Sequence, residues 1–238
     1  MDNAIYTGLN RQSGLMREMQ AVANNIANLS TTGFRREGVV FAEHVAALDG
    51  GEPSLSMATA EGRMIDLSQG VLQKTGGRFD LAIEGEGFFM IATPDGNQLT
   101  RTGAFTRSPD GELVTAEGFR VLDTGGGPIA VPPEAGSVVV AQDGTVSADG
   151  QPVAQVGLFL PEDAADLIHQ GGTRFATTRP PQPLEDGVIF QGFVEGSNVN
   201  PVAEITRMIA VQRAYEMGQG FLDAEDGRIR SVTQTLGR

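Results

Sequence analysis

Seven positions near the amino terminus, Ile5, Leu9, Gln12, Met16, Met19, Ala23 and Ile26, follow one another by alternating steps of four and three. That is the rhythm of a helix offering one narrow apolar seam to another helix. Leu15, Val22 and Leu29 widen the stripe at seven-residue intervals, and Gly33 supplies a stop signal in the left-handed conformation. The last forty residues repeat the pattern: Met208, Tyr215, Leu222, Ile229 and Leu236 recur every seven positions, flanked by Ile205, Ile209 and Val232. Asn200-Pro201 opens this stretch with a capping side chain and a proline at the first helical position. Helices over 3–29 and 201–236 would be roughly 40 and 50 Å long. Gly218 and Gly220 are expected to weaken the second by about 1 kcal/mol each relative to alanine. A helix with one narrow stripe has no core of its own, so the two ends must bury their stripes against each other or against neighbouring molecules.

Between the ends the period changes. Asp-Gly pairs fall at 95–96, 110–111, 143–144 and 149–150, close to the short apolar runs Phe88–Ile91, Leu113-Val114, Val138–Val140 and Val156–Leu160. Asp-Gly between apolar runs is a hairpin signal. The expected class is therefore α+β: long N- and C-terminal helices pairing as a coiled-coil-like bundle, with a mostly β, hairpin-rich central domain. The expected boundaries are a helical segment over 1–36, an irregular connection over 37–69, a β-rich domain over 70–195 and a helical segment over 196–238. Residues 161–187, with four prolines, are read as irregular apart from a short helix over 163–170.

The net charge of −13 is unevenly spread. Residues 1–36 carry +2 and residues 195–238 carry −1, while the middle holds eight basic against 22 acidic residues. An acidic middle argues against a nucleic-acid partner, since phosphate binding needs clustered Lys and Arg. The nearly neutral ends can approach copies of themselves without strong repulsion. Cysteine is absent, which removes disulfides, thiolate metal sites and thiol catalysis. No run approaches the ~20 apolar residues of a membrane span, so no direct membrane insertion is expected. The opening Met-Asp-Asn-Ala-Ile-Tyr lacks the basic segment and apolar core of a secretory leader.

Catalytic readings find little support. Gly85-Glu86-Gly87 and Gly125-Gly126-Gly127 lack the third glycine of a dinucleotide loop and read as turns. Asp143 to Gly150 lacks the alternating acids and terminal Glu of a calcium loop and reads as a pair of turns. Glu84 and Glu86 offer the two carboxylates of a glycosidase, but on a strand they would share a solvated face. His44 and His169 show no ligand spacing, and neither metal nor cofactor is expected. Three asparagines within five residues, Asn24, Asn25 and Asn28, are unusual near a helix end. Two readings stand: helix fraying and capping, or amide bonds to adjacent helices that fix register.

Several motifs, taken in order, carry a family resemblance. Ala23-Asn24-Asn25-Ile26-Ala27-Asn28 followed by Ser30-Thr31-Thr32-Gly33-Phe34 resembles the N-terminal signature of bacterial flagellar rod and hook proteins. Gly85-Glu86-Gly87-Phe88-Phe89 is similar to their central Gly-acid-Gly-Phe-Phe motif. Arg101-Thr102-Gly103-Ala104-Phe105 and Leu113 to Gly118 match the hairpins that follow it. Glu195-Gly196-Ser197-Asn198-Val199 and Met208 to Tyr215 resemble their C-terminal signature. The resemblance implies a non-enzymatic subunit of the axial rod, exported through the flagellar type III apparatus without a cleaved signal and residing in the periplasmic basal body. Its partners would be copies of itself and other proximal and distal rod proteins, with the terminal helices forming the inner core of a tube and the β domain its outer layer. The opening resembles the proximal-rod member, whereas Gln212-Arg213-Ala214-Tyr215 leans toward the distal-rod member; the opening discriminates better. The expected interface comprises Ile5, Leu9, Met16, Met19, Asn24, Asn25, Ile26, Asn28, Gly33 and Phe34 at one end. At the other it comprises Asn198, Val199, Ile205, Met208, Gln212, Tyr215, Leu222, Ile229 and Leu236. Gln212 and Gln219 are expected to supply interhelical hydrogen bonds or to be simply exposed, and Phe34 to anchor the chain as it leaves the helix.

Overall fold

The computed structural model describes residues 2–46 and 55–236, with side chains over 7–40 and 62–235. Two compact units emerge: residues 1–27, 37–64 and 200–238 form a helical unit, and residues 28–36 and 65–199 form a β unit. Each is built from segments distant in sequence, so the four consecutive expected segments are replaced by an interleaved arrangement.

The helical unit contains α1 (Asp2–Ala27) and α2 (Pro201–Leu236), and the long strands β1 (Glu37–Ala46) and β2 (Leu55–Ile65), which pair with each other. Residues 37–69, expected as an irregular connection, thus hold two strands. The local cues were the Val-Val-Phe run at 39–41 and the alternation around Met57 and Met64. At the start of α2, Asn200 Oδ1 accepts from the backbone N–H groups of Val202 and Ala203 at 3.0 and 3.1 Å, with Pro201 at the first helical position.

Helices α1 and α2 pack against each other. On α2 the contact face is the expected one: Met208, Tyr215, Leu222 and Ile229 are half-buried and Val211 is buried. On α1 the expected seam is displaced. Leu15 and Val22 are buried together with Gln12, Glu18 and Asn25, while Leu9 and Met16 stand exposed at 51% and 41%. One residue corresponds to about 100° around a helix, so the buried face centres on the flank of the predicted stripe. Close approach explains the displacement. A Cβ on Gly8 would fall 2.9 Å from Leu222 Cδ2, and one on Gly218 would fall 2.7 Å from Gln12 Nε2. Gly218 therefore admits the Gln12 amide, which donates to the Tyr215 carbonyl at 3.0 Å; it is a contact point as well as a weak helix former. Ile5 and Leu236 of the expected seam lie outside the described side chains.

The β unit contains the hairpins that the turn signals predict, joined by strand pairings between segments distant in sequence. All four Asp-Gly pairs sit at reversals between strands. The clearest is Asp149-Gly150, a two-residue loop closing Ala148 against Gln151 with φ of 49° and 80° at its two residues, the signature of a type I′ turn. Strands β3 (Leu72–Lys74) and β4 (Leu81–Glu84) pair with the later strands Phe193–Glu195 and Val188–Gln191. The largest sheet centres on β5 (Phe88–Thr93) and β6 (Gly96–Thr100). β5 is buried on both faces: Phe89 and Ile91 join one apolar cluster with Leu81, Ile83 and Val121, while Phe88 and Met90 join a second with Leu99, Phe159 and Phe175. That is why its sequence is a continuous apolar run and not an alternation. The expected helix over 163–170 reduces to a single 3₁₀ turn, Ala164–Asp166, capped by Asp163, after which the chain turns extended at Leu167–His169.

Gly33 is held at φ +70°, and a Cβ there would fall 2.3 Å from the Thr102 backbone nitrogen. Gly76 has φ +72° but nothing within 4 Å. Positive φ alone costs an L-residue roughly 1–2 kcal/mol, so Gly76→Ala is expected to destabilise by about that amount. Gly33→Ala adds a backbone clash and is expected to cost at least twice as much in urea unfolding of the full chain. Equal losses at the two sites would contradict the close approach.

Candidate subunit interface

The helical unit leaves apolar side chains on faces that its own packing does not use. On α1 these are Leu9 and Met16; on α2 they are Val202, Ile205, Ile209, Met217, Phe221 and Val232. Soluble surfaces tolerate scattered apolar residues, but several along two adjacent long helices mark an interaction surface. Among the residues expected at the interface, Leu9, Met16 and Ile205 are exposed and Gln212 lies on the exposed side of α2, while Met19 and Ile26 are half-buried. Tyr215 and Leu222 belong to the contact with α1, and Met208 and Ile229 are half-buried.

The asparagine cluster resolves into separate roles. Asn25 is fully buried. Its amide accepts from the Glu37 backbone N–H at 2.9 Å, and donates to the Glu37 carbonyl at 2.8 Å and to Glu204 Oε2 at 3.1 Å. One side chain thus joins α1, β1 and the first turn of α2, which matches the register-fixing reading but inside the chain. Glu18 on α1 pairs with Arg207 on α2. Asn24 and Asn28 are half-buried, and Asn28 Oδ1 accepts from the Thr31 hydroxyl at 3.0 Å.

Gly33, Phe34, Asn198 and Val199, also expected at the interface, are taken up within the β unit. Phe34 is 1% exposed and meets His169 edge-on at 6.3 Å between ring centroids. The Gly33 N–H donates to the Glu195 carbonyl at 2.7 Å. Asn198 is a clasp: its Oδ1 accepts from the Arg36 backbone N–H at 2.7 Å, and its amide donates to the Asp66 and Ser68 carbonyls at 2.9 Å each.

Beneath this clasp lies a charged centre that sequence reasoning missed. Glu195, 1% exposed, accepts from Arg35 at 2.9 Å through one oxygen and from Arg101 at 2.7 Å through the other. The Gly70 N–H also donates to it at 2.7 Å. Arg101 further donates to the carbonyls of Gly85 and Gly87, and Arg35 to that of Ser68. Burial, reinforced by the nearby Arg101 charge, lowers the Arg35 guanidinium to about 10; burial lowers Arg101 as well, against the pull of Glu195. At neutral pH both stay protonated, so a single carboxylate holds two buried cations; backbone carbonyls take further donors of each, while the Arg35 Nε has no hydrogen-bond partner among the described residues. Arg101 and Glu195 both stood in recognised motifs, but their pairing across 94 residues had no local signal.

Among the described residues, the two carboxylates singled out in the sequence do not face each other across a cleft lined by a third polar partner. Glu84 ends β4 and Glu86 lies in the following turn, both exposed. Among the described residues no group of three His, Asp or Glu side chains is placed to hold a metal, and no helix is long and apolar enough to cross a membrane. Paired long helices with apolar residues left on their surface, in a chain that also holds a separate β unit, define a structural assembly subunit.

Comparison with known proteins agrees. Residues 5–35 match the family described as flagella basal body rod protein, residues 82–148 the flagellar hook protein FlgE/F/G D1 domain, and residues 191–235 the flagellar basal body rod FlgEFG protein C-terminal region. The flagellar basal-body rod protein FlgF of Caulobacter vibrioides is 44% identical, with all of this chain and 99% of that protein aligned. FlgF of Mesorhizobium japonicum is 37% identical over all of this chain and 99% of its own length. The rod protein FlgG of Bacillus subtilis is 32% identical over 95% of this chain and 96% of its own. The chain belongs to the flagellar basal-body rod protein family.

Removing the shared carboxylate tests the charged centre. Breaking a buried ion pair by neutralising one partner costs roughly 3–5 kcal/mol. Glu195→Gln is expected to destabilise the β unit by that order in urea unfolding; a change below about 1 kcal/mol would show that the two arginines do not depend on it.

Proposed function

We propose that this chain is a subunit of the proximal flagellar rod, joined to copies of itself and to other rod proteins by its terminal helices. The observation that carries this reading is the unused apolar face on α1 and α2, beginning with Leu9, Met16, Ile205 and Ile209. Helices of adjacent subunits bury these stripes against one another in coiled-coil-like contacts, forming the inner core of the rod. Methionines on the stripe suit contacts between non-equivalent neighbours because their unbranched side chains fill irregular gaps. Torque passes along the rod through many such contacts acting together. Greater identity to the FlgF relatives (33–44%) than to the FlgG relatives (30–32%) favours the proximal over the distal rod. The subunit leaves the cytoplasm through the flagellar type III apparatus, and its role is non-enzymatic.

The test is genetic and biophysical together. Met16→Asp with Ile209→Asp places charges on exposed positions, where substitutions ordinarily shift stability by about 0.5 kcal/mol or less. The variant is expected to unfold like the parent chain yet fail to enter the rod and to abolish swimming. Glu84→Gln with Glu86→Gln is expected to leave swimming intact, whereas a wall-cleaving glycosidase would lose its turnover. Normal motility in the stripe variant would refute the proposal.

A further inference from the structure

Between α1 and α2 runs an open groove of about 570 Å³, bounded by residues 7–15 of one helix and 214–221 of the other. Gly8, Ala214 and Gly218 line it, and Met217 and Phe221 stand along its edge, 69% and 52% exposed. Its polar lining is incomplete: the Oε1 of Gln12 is buried and has no hydrogen-bond partner among the described residues, although Nε2 of the same amide is engaged. A buried acceptor left unpaired calls for a donor from outside.

The same helix carries a surface of matching form. Val202, Ile205 and Ile209 are exposed at i, i+3 and i+7, the spacing by which an amphipathic helix anchors in an apolar groove. This stripe and the α2 edge of the groove each cover seven helical steps, roughly 10 Å. Gln212 continues the stripe one turn further, and its amide, now donating to Glu216 Oε1 at 3.0 Å, is a donor of the kind the Gln12 oxygen lacks. Stripe and groove are centred about twelve residues apart on one continuous helix, or roughly 18 Å, and on different faces of it. A chain therefore cannot fill its own groove with its own stripe.

We infer that the groove between α1 and α2 receives the Val202-Ile205-Ile209 face of α2 from a second copy of the chain. This rests on the assembly reading above and deepens it by naming the two surfaces. Because one patch meets a different patch, the contact is heterologous: each added copy brings a filled surface and a free one. Such a contact propagates into an open helical array instead of closing as a symmetric dimer.

The chain has no cysteine, so disulfide trapping reads the contact directly. Ile205→Cys and Met217→Cys alter exposed positions and are expected to leave the circular dichroism spectrum unchanged. Within one chain the two sites are separated by roughly 18 Å of helix, far beyond the ~4.4–6.8 Å that a disulfide spans between Cα atoms. The double variant, oxidised at a concentration where the parent chain assembles, is expected to give a ladder of dimers, trimers and larger species on a non-reducing gel. An equimolar mixture of the two single variants should give dimers and nothing longer, and either single variant alone only traces. Assembly of the double variant without a ladder would overturn the groove contact while leaving the assembly reading in place. A ladder that forms only when another rod protein is added would overturn the choice of a second copy. Failure of the parent chain to assemble at all would overturn both readings.

Discussion

Two long helices laid side by side can each hide one face, and apolar residues on any other face have no partner within the pair. In this chain the face that meets the partner helix includes Leu15 and Val22 on α1 and Val211, Met208 and Leu222 on α2, which leaves Leu9, Met16, Ile205 and Ile209 outside. Fully burying such side chains contributes roughly 1.5–3 kcal/mol each, and about half of that where the residue is already half covered. Association costs at least about 4 kcal/mol in lost freedom of motion, so one or two such contacts bind weakly and four or five, shared among several neighbours, bind firmly. That balance suits a subunit that is fixed firmly only within a many-sided assembly.

The polar residues inside each unit serve a different end. Asn25 spends its amide on β1 and on Glu204 at the start of α2, tying three segments distant in sequence. Glu195 does the same in the β unit by holding Arg35 and Arg101 together. Replacing such centres by well-packed apolar residues is often neutral in stability, whereas removing one member leaves an uncompensated buried charge.

Much of this was legible in the sequence where the cause is local. Asp-Gly pairs announce hairpins because the second residue takes positive φ without cost, and Asn200-Pro201 announces a helix start because an amide and a ring fit the first turn. The heptad of Met208, Tyr215, Leu222 and Ile229 marked the right face of α2. The phase of α1 was not legible, because Gly8 and Gly218 set how closely the helices approach, and that depends on which residues meet across some two hundred positions. The strands in 37–65 were obscured by glycines and charges among their apolar residues. Glu195 and its two arginines were invisible for the same reason as the α1 phase: motif membership marks a residue without naming its partner.

Methionine oxidation reads the unused face most directly, since sulfoxide formation follows exposure of the thioether. Met16 and Met217 are exposed in the chain, whereas Met90 is buried in the β unit. With the free subunit and isolated rods given the same brief peroxide treatment, mass spectrometry should find Met16 and Met217 oxidised in the subunit and protected in the rod, with Met90 protected in both. Equal oxidation of Met16 and Met217 in the two states would contradict burial of the helical stripes on assembly.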